Sequence, residues 1–216
     1  MREQVIQEIL NNKIVAIVRG MDQEQALKIA HALYEGGIRL VEVTFNQKDP
    51  STHKISAAAI SAIKEEMAGK MLVGAGTVTS EALVELAAQA GAEFIISPDT
   101  DVAVIRKTRE LGLVSLPGAY TATEAKQAHN AGADFVKLFP CIEGAPAYLK
   151  ALCAPLNHIR FVAVGGVNAD NAADFMKAGA VGVGVGGCLV NKKWVEAGEY
   201  WKITEEARRF VANINK

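Results

Sequence analysis

Residues 131–140 read Ala-Gly-Ala-Asp-Phe-Val-Lys-Leu-Phe-Pro, and their order decides the architecture. A glycine closing a helical pattern stands where a helix C-cap takes the left-handed backbone, and a β-rich run follows at once. Phe135, Val136, Leu138 and Phe139 make that run apolar between Gly132 and Pro140, which reads as a buried strand. The same mark recurs at 35–38 (Glu-Gly-Gly-Ile), 90–94 (Ala-Gly-Ala-Glu-Phe), 111–114 (Leu-Gly-Leu-Val) and 178–181 (Ala-Gly-Ala-Val).

Outward from this stretch, apolar runs stand at 14–18, 39–44, 71–75, 93–96, 113–116, 134–138, 161–164 and 181–185. They are nearly continuous rather than alternating, as parallel strands covered on both faces require. Helical patterns separate most neighbours, and Asp22, Thr79, Thr121 and Asn168 are the expected N-caps, with Thr121-x-x-Glu124 as a capping box. Eight βα units predict an α/β fold, a single (β/α)8 barrel over residues 1–216, with a helix at about 2–11 closing its N-terminal mouth. No Pro/Ser-rich linker or charge block divides the chain. The competing architecture, an open doubly wound sheet, lacks the Gly-x-Gly-x-x-Gly turn after the first strand.

Composition narrows the function. The 216 residues are half hydrophobic, with net charge −1 and no Lys/Arg block longer than two, which argues against nucleic acid or an anionic membrane surface as partner. The amphipathic, acidic amino-terminal segment has no apolar core of a signal peptide, and no run approaches bilayer length. Cys141, Cys153 and Cys188 are odd in number and without CxxC spacing, so a reducing cytoplasm is the expected location. His31, His53, His129 and His158 show no ligand spacing, and neither metal nor cofactor is expected.

In a (β/α)8 barrel the chemistry collects at the C-terminal ends of the strands. Lys137 stands near the end of its strand, where burial disfavours the ammonium and favours a nucleophilic amine. The other reading is an edge lysine whose head snorkels to solvent. Glu42, between Val41 and Val43, is either a proton shuttle or half of a structural ion pair. Gly165-Gly166 and Gly186-Gly187, ending the seventh and eighth strands, form consecutive turns suited to cradling an oxyanion, with Cys188 at the edge of the second. Arg19, ending the first strand, is either a substrate cation or a solvated loop residue.

Glu42-Val-Thr, Gly74-Ala-Gly-Thr-Val, Ile96-Ser-Pro98, Pro117-Gly118, Phe135-Val-Lys-Leu-Phe-Pro140 and Gly165-Gly166, in this order, resemble the KDPG/KHG aldolases across essentially the whole chain. The resemblance implies a class I aldolase that cleaves 2-keto-3-deoxy-6-phosphogluconate or 4-hydroxy-2-oxoglutarate, with pyruvate as one product. It implies Lys137 as the Schiff-base lysine, Glu42 as acid and base, and Thr77 as a holder of the pyruvyl carboxylate. Pro98 and Pro117 would shape the pocket, and the protein would be a metal-free homotrimer acting on a small keto acid. Two positions depart from the family pattern. Asn46 stands where many members carry an arginine, and Cys188 where the second Gly-Gly is followed by serine; both changes weaken anion binding and bear on whether a 6-phosphate is required. Two other classes fit the glycine turns: a phosphate-binding barrel such as a sugar-phosphate epimerase or a thiamine-phosphate-synthase-like enzyme, and a non-catalytic sugar-acid binding barrel. The first leaves Lys137 without a role, and the second predicts ligand binding without turnover.

Overall fold

The computed structural model describes residues 2–216 and shows nine parallel strands in one sheet, in spatial order β5-β4-β3-β2-β1-β9-β8-β7-β6. The strands are β1 (Ile14–Val18), β2 (Leu40–Thr44), β3 (Leu72–Gly76), β4 (Phe94–Ile96), β5 (Val114–Leu116), β6 (Gly118–Ala119), β7 (Val136–Leu138), β8 (Phe161–Val164) and β9 (Gly182–Val185). All eight expected runs form strands, and the ninth arises by division. Val114–Leu116 pairs with β4, Gly118–Ala119 pairs with β7, and Pro117 lies between them. Proline has no N–H to add to a ladder, so the fifth barrel strand breaks there. Its carbonyl still accepts from the Lys137 N–H at 2.9 Å, and Ser115 O accepts from Phe135 N–H at 3.2 Å. The barrel therefore closes across this seam.

Around the strands lie α2 (Gln23–Glu35), α3 (His53–Glu66), α4 (Glu81–Gln89), α5 (Val102–Glu110), α6 (Ala122–Ala131), α7 (Ala145–Cys153), α8 (Ala172–Lys177), α9 (Lys192–Glu196) and α10 (Tyr200–Asn213). They follow α1 (Arg2–Asn12), which opens the chain. Gly37, Gly91, Gly112, Gly132 and Gly179, one from each recurring mark, all take positive φ. Asp22 and Thr121 cap α2 and α6 in full capping boxes. Two expected caps are corrected. Ser80 rather than Thr79 caps α4, because the Thr79 hydroxyl is committed to Gln47. Asn168 does not cap α8; its Oδ1 accepts from the Asp170 and Asn171 amides in a turn just before the helix. The ring of helices closes where α10 meets α2: a Cβ on Gly36 would stand 2.3 Å from Ala207 Cβ, so only glycine permits this approach.

Side-chain alternation splits the core in two. One set of strand residues (Ile14, Ala16, Val41, Val73, Val136, Ala163, Val183) packs outward under the helices. The other set (Val15, Ile17, Leu40, Phe94, Ile96, Leu116, Phe135, Val162) fills the barrel and meets Val5, Ile6 and Ile9 of α1, which plugs the N-terminal mouth as expected. Asp134 fastens this end. Its buried carboxylate accepts from Ser115 N–H at 3.0 Å and pairs with Arg109 at 3.1 Å and with Arg2 of α1.

Candidate active site

The period-two rule places the two central groups. Glu42 follows Leu40 and Lys137 follows Phe135 by two residues, so both point into the barrel, above the apolar filling. Glu42 is 2% exposed and Lys137 7%. Room for the carboxylate comes from β3: a Cβ on Gly76 would lie 1.6 Å from Glu42 Oε1. On β9, a Cβ on Gly184 would meet Val164 at 2.8 Å, so this wall too is built from bare backbone. Lys137 Nζ lies 4.6 Å from the ring centre of Phe139, whose bond to Pro140 is cis.

Burial dominates the electrostatics. It holds the Glu42 carboxyl above its usual range, although the charges of Lys137 and Arg19 pull the other way. Burial likewise lowers Lys137; the Glu42 charge opposes this and Arg19 adds to it. The pair thus sits closer to a neutral acid and a neutral amine than the free side chains would.

Both groups line a cavity of about 950 Å3 at the C-terminal end of the strands. Arg19, Thr77, Pro98, Gly165, Gly166, Gly186, Gly187 and Cys188 line it as well, so ten of the twelve residues singled out in the sequence converge there. Two do not. Pro117 is buried behind the wall, where it breaks the fifth strand and accepts from Lys137 N–H. Asn46 faces an adjoining cavity of about 750 Å3 that shares Arg19, Gly20, Met21 and Thr77 with the first. Its Oδ1 is occupied by the Lys48 N–H at 3.0 Å.

Charge and donors are unevenly spread around the mouth. Arg19 is exposed and has no ion-pair partner among the described residues. Gly165 and Gly166 both take positive φ (87° and 76°), and a Cβ on Gly166 would strike Cys141 O at 2.1 Å. The N–H groups of Gly166, Gly186 and Gly187 meet no protein acceptor among the described residues, and all three glycines line the cavity. Cys188 Sγ donates to Val167 O at 3.3 Å, and burial of the thiol raises its pKa. Sequence reasoning missed Phe139, Asn168 and Lys192 as lining residues. Lys192 brings a second cation to the glycine-turn side, 3.6 Å from Glu196. It follows the strand by several residues at the start of a short helix, where no local pattern marks it.

No group of three or more His, Cys, Asp or Glu residues placed to hold a metal ion occurs among the described residues, and no described helix is long and apolar enough to cross a membrane.

Residues 5–206 match the family described as KDPG and KHG aldolase. The 2-dehydro-3-deoxy-6-phosphogalactonate aldolase of Escherichia coli K12 is 37% identical over 177 residues, 82% of this chain and 83% of its own. A structure titled "Native KDPGal structure" superposes with a TM-score of 0.82 at 35% identity, covering 93% of both chains. The Legionella pneumophila KDPG aldolase, with pyruvate captured as a covalent carbinolamine, shares the fold at 24% identity and a TM-score of 0.84, over 94% of this chain and 96% of its own. A Pyrococcus furiosus thiamine phosphate pyrophosphorylase shares the fold alone, at 17% identity and a TM-score of 0.71, over 95% of this chain and 97% of its own. The match to the aldolase family over residues 5–206 does not favour the thiamine-phosphate-synthase-like alternative.

Proposed function

The chain belongs to the KDPG and KHG aldolase family and is a class I pyruvate aldolase, and from that premise we propose that Lys137 and Glu42 carry the reaction on a 2-keto-3-deoxy-6-phospho sugar acid. One observation carries the assignment: a buried lysine held toward its neutral form shares one cavity with a buried carboxyl held toward its protonated form. The neutral Lys137 amine attacks the C2 carbonyl, and the carbinolamine loses water to give an iminium. Glu42, left as the carboxylate once it has protonated the departing carbinolamine hydroxyl, takes the C4 hydroxyl proton through a water as the C3–C4 bond breaks. The bond's electron pair passes into the enamine, and the aldehyde leaves. Protonation at C3 and addition of water then release pyruvate and restore the amine. The iminium is the electron sink, so the steps call for no metal.

The remaining lining residues divide the substrate between them. Thr77 and Arg19 take the carboxylate end, beside Glu42. The free amides of Gly166, Gly186 and Gly187 take the phosphate, with Cys188 as wall and Lys192 as counter-charge. Asn46 lies outside this cavity, so its lack of charge does not touch the phosphate. The whole chain acts as one catalytic unit. The homotrimer rests on the family resemblance; exposed Tyr120, Phe139 and Ile142 are apolar residues such an interface could cover, and sedimentation in solution decides that point.

The test of the function is chemical trapping. Pyruvate with borohydride should add one reduced pyruvyl group to Lys137, and Lys137→Arg should abolish both the adduct and turnover while the fold persists. Phosphorylated 2-keto-3-deoxy acids should be cleaved in preference to the unphosphorylated acid and to 4-hydroxy-2-oxoglutarate. An adduct on another lysine, or none, rejects the assignment.

A further inference from the structure

Thr77 has φ +55°, the left-handed region that a β-branched residue occupies only when its surroundings impose it. Its neighbours in sequence are fixed by the sheet: Gly76 O accepts from Phe45 N–H at 2.9 Å, and Val78 N–H donates to Ile96 O at 3.2 Å. Between them the Thr77 carbonyl turns away from the sheet and meets a side chain. Gln47 Nε2 donates to Thr77 O at 2.7 Å, and the Thr79 hydroxyl donates to Gln47 Oε1 at 2.8 Å. The two bonds fix the amide's orientation, since turning it over would set Gln47 Oε1 against the Thr77 carbonyl. Gln47 is itself seated by its turn, where Asn46 Oδ1 accepts from Lys48 N–H and Asn46 O meets His53 Nε2 at 3.0 Å. The loop after β2 thus reaches over and grips the loop after β3 at the residue that enters the cavity.

We propose that Gln47, anchored by Thr79, is a positioning residue for the pyruvyl carboxylate: it holds the Thr77 backbone in the left-handed conformation that aims the Thr77 hydroxyl at the bound keto acid. This rests on the placement of Thr77 at the carboxylate end. Gln47 touches no substrate in this reading; it faces the adjoining cavity and acts through Thr77. The loop clamp and the hydroxyl therefore form one unit, and removing either should remove the same binding.

A double-mutant cycle on pyruvate binding tests this, read as the pyruvate concentration for half-maximal borohydride trapping on Lys137. Gln47→Met keeps the length of the side chain and loses both hydrogen bonds; Thr77→Val keeps the shape and loses the hydroxyl. Each alone should raise the half-saturating concentration about tenfold, with trapping at saturating pyruvate largely retained. The double variant should match Thr77→Val to within about twofold, because residues acting as one unit are not additive. A merely structural role for Gln47 would multiply the two effects, and that result overturns the proposal, as does an unchanged half-saturation in Gln47→Met. If Gln47→Met does not fold, Thr79→Val removes the anchor alone and should show a smaller rise that vanishes in the Thr77→Val background. Failure of the wild-type protein to trap pyruvate on Lys137 refutes the Schiff-base assignment; normal trapping with an unmoved half-saturation refutes only the role of Gln47.

Discussion

Gly76→Ala is the sharpest single test of the Glu42 assignment, because it moves the carboxylate without changing the chemistry of either reacting group. The added Cβ would stand 1.6 Å from Glu42 Oε1, 2.3 Å from Cδ and 2.6 Å from Cγ, whereas ordinary contact begins at 3.4 Å. Going from 1.6 to 3.4 Å, the carboxylate must retreat by about 1.8 Å. The change should not wreck the fold. Gly76 does not have positive φ, so alanine meets no backbone penalty, and replacing a strand glycine recovers roughly 0.5–1 kcal/mol. Overpacking against Glu42 costs about 1–3 kcal/mol, so the net loss should be at most about 2.5 kcal/mol. At about 2–4 °C per kcal/mol for a chain of this size, Tm should fall by no more than roughly 10 °C. Activity should suffer far more: displacing a catalytic group by about 1 Å costs roughly a hundredfold, and full loss of a general base costs up to about 10⁴-fold. Measuring pyruvate release on cleavage with a coupled lactate dehydrogenase should therefore show kcat down by about 10²–10⁴-fold. Borohydride trapping on Lys137 should persist, since the lysine is untouched. A variant that melts normally and keeps kcat within about threefold of wild type would sink the role given to Glu42.

Three further outcomes follow from the charges around the cavity. Lys137 must be neutral to attack, and the Glu42 charge raises its pKa against burial; Glu42→Gln removes that support, so the acid limb of adduct formation should move to lower pH. A limb that stays put or moves to higher pH contradicts the coupling. Arg19→Ala should raise KM about ten- to a hundredfold for every accepted keto acid, as expected when a hydrogen bond to a charged group of about 1.5–3 kcal/mol is lost. Lys192→Met, an exposed rim charge, should raise KM by no more than about fivefold and only for phosphorylated substrates. Equal effects of Lys192→Met on phosphorylated and unphosphorylated acids would remove it from the phosphate end.

The barrel was legible because its parallel strands are apolar on both faces and its helices end in glycines, two signals that reinforce each other along the chain. The division of the fifth strand was written in Pro117, whose missing N–H matters only once its neighbours are known. Lys137 and Glu42 could be singled out because a charged residue inside an apolar run is conspicuous. Their shared orientation needed the alternation that places Leu40 and Phe135 inside. Thr79 looks like a helix cap in sequence, since nothing local shows that Gln47, far away along the chain, claims its hydroxyl. Lys192 went unnoticed, and the place of Asn46 in the adjoining cavity was illegible, for the same reason: a loop residue's side of a rim is set by how adjacent loops lean, which no periodicity encodes.

Asp134 gives the barrel a latch. The seam between β5 and β7 lacks the hydrogen bond that Pro117 cannot donate, and a side-chain carboxylate receives the Ser115 amide instead. The same carboxylate holds Arg2, so the plug and the seam share one fastening. Releasing α1 frees one of the two arginines that neutralise the latch, and slackening the latch frees α1. Breathing of the N-terminal plug is thereby wired to the edge of the strand that carries Lys137. Protection of the Lys137 amide against hydrogen exchange should accordingly track the docking of α1, a helix on the opposite side of the barrel from the reaction.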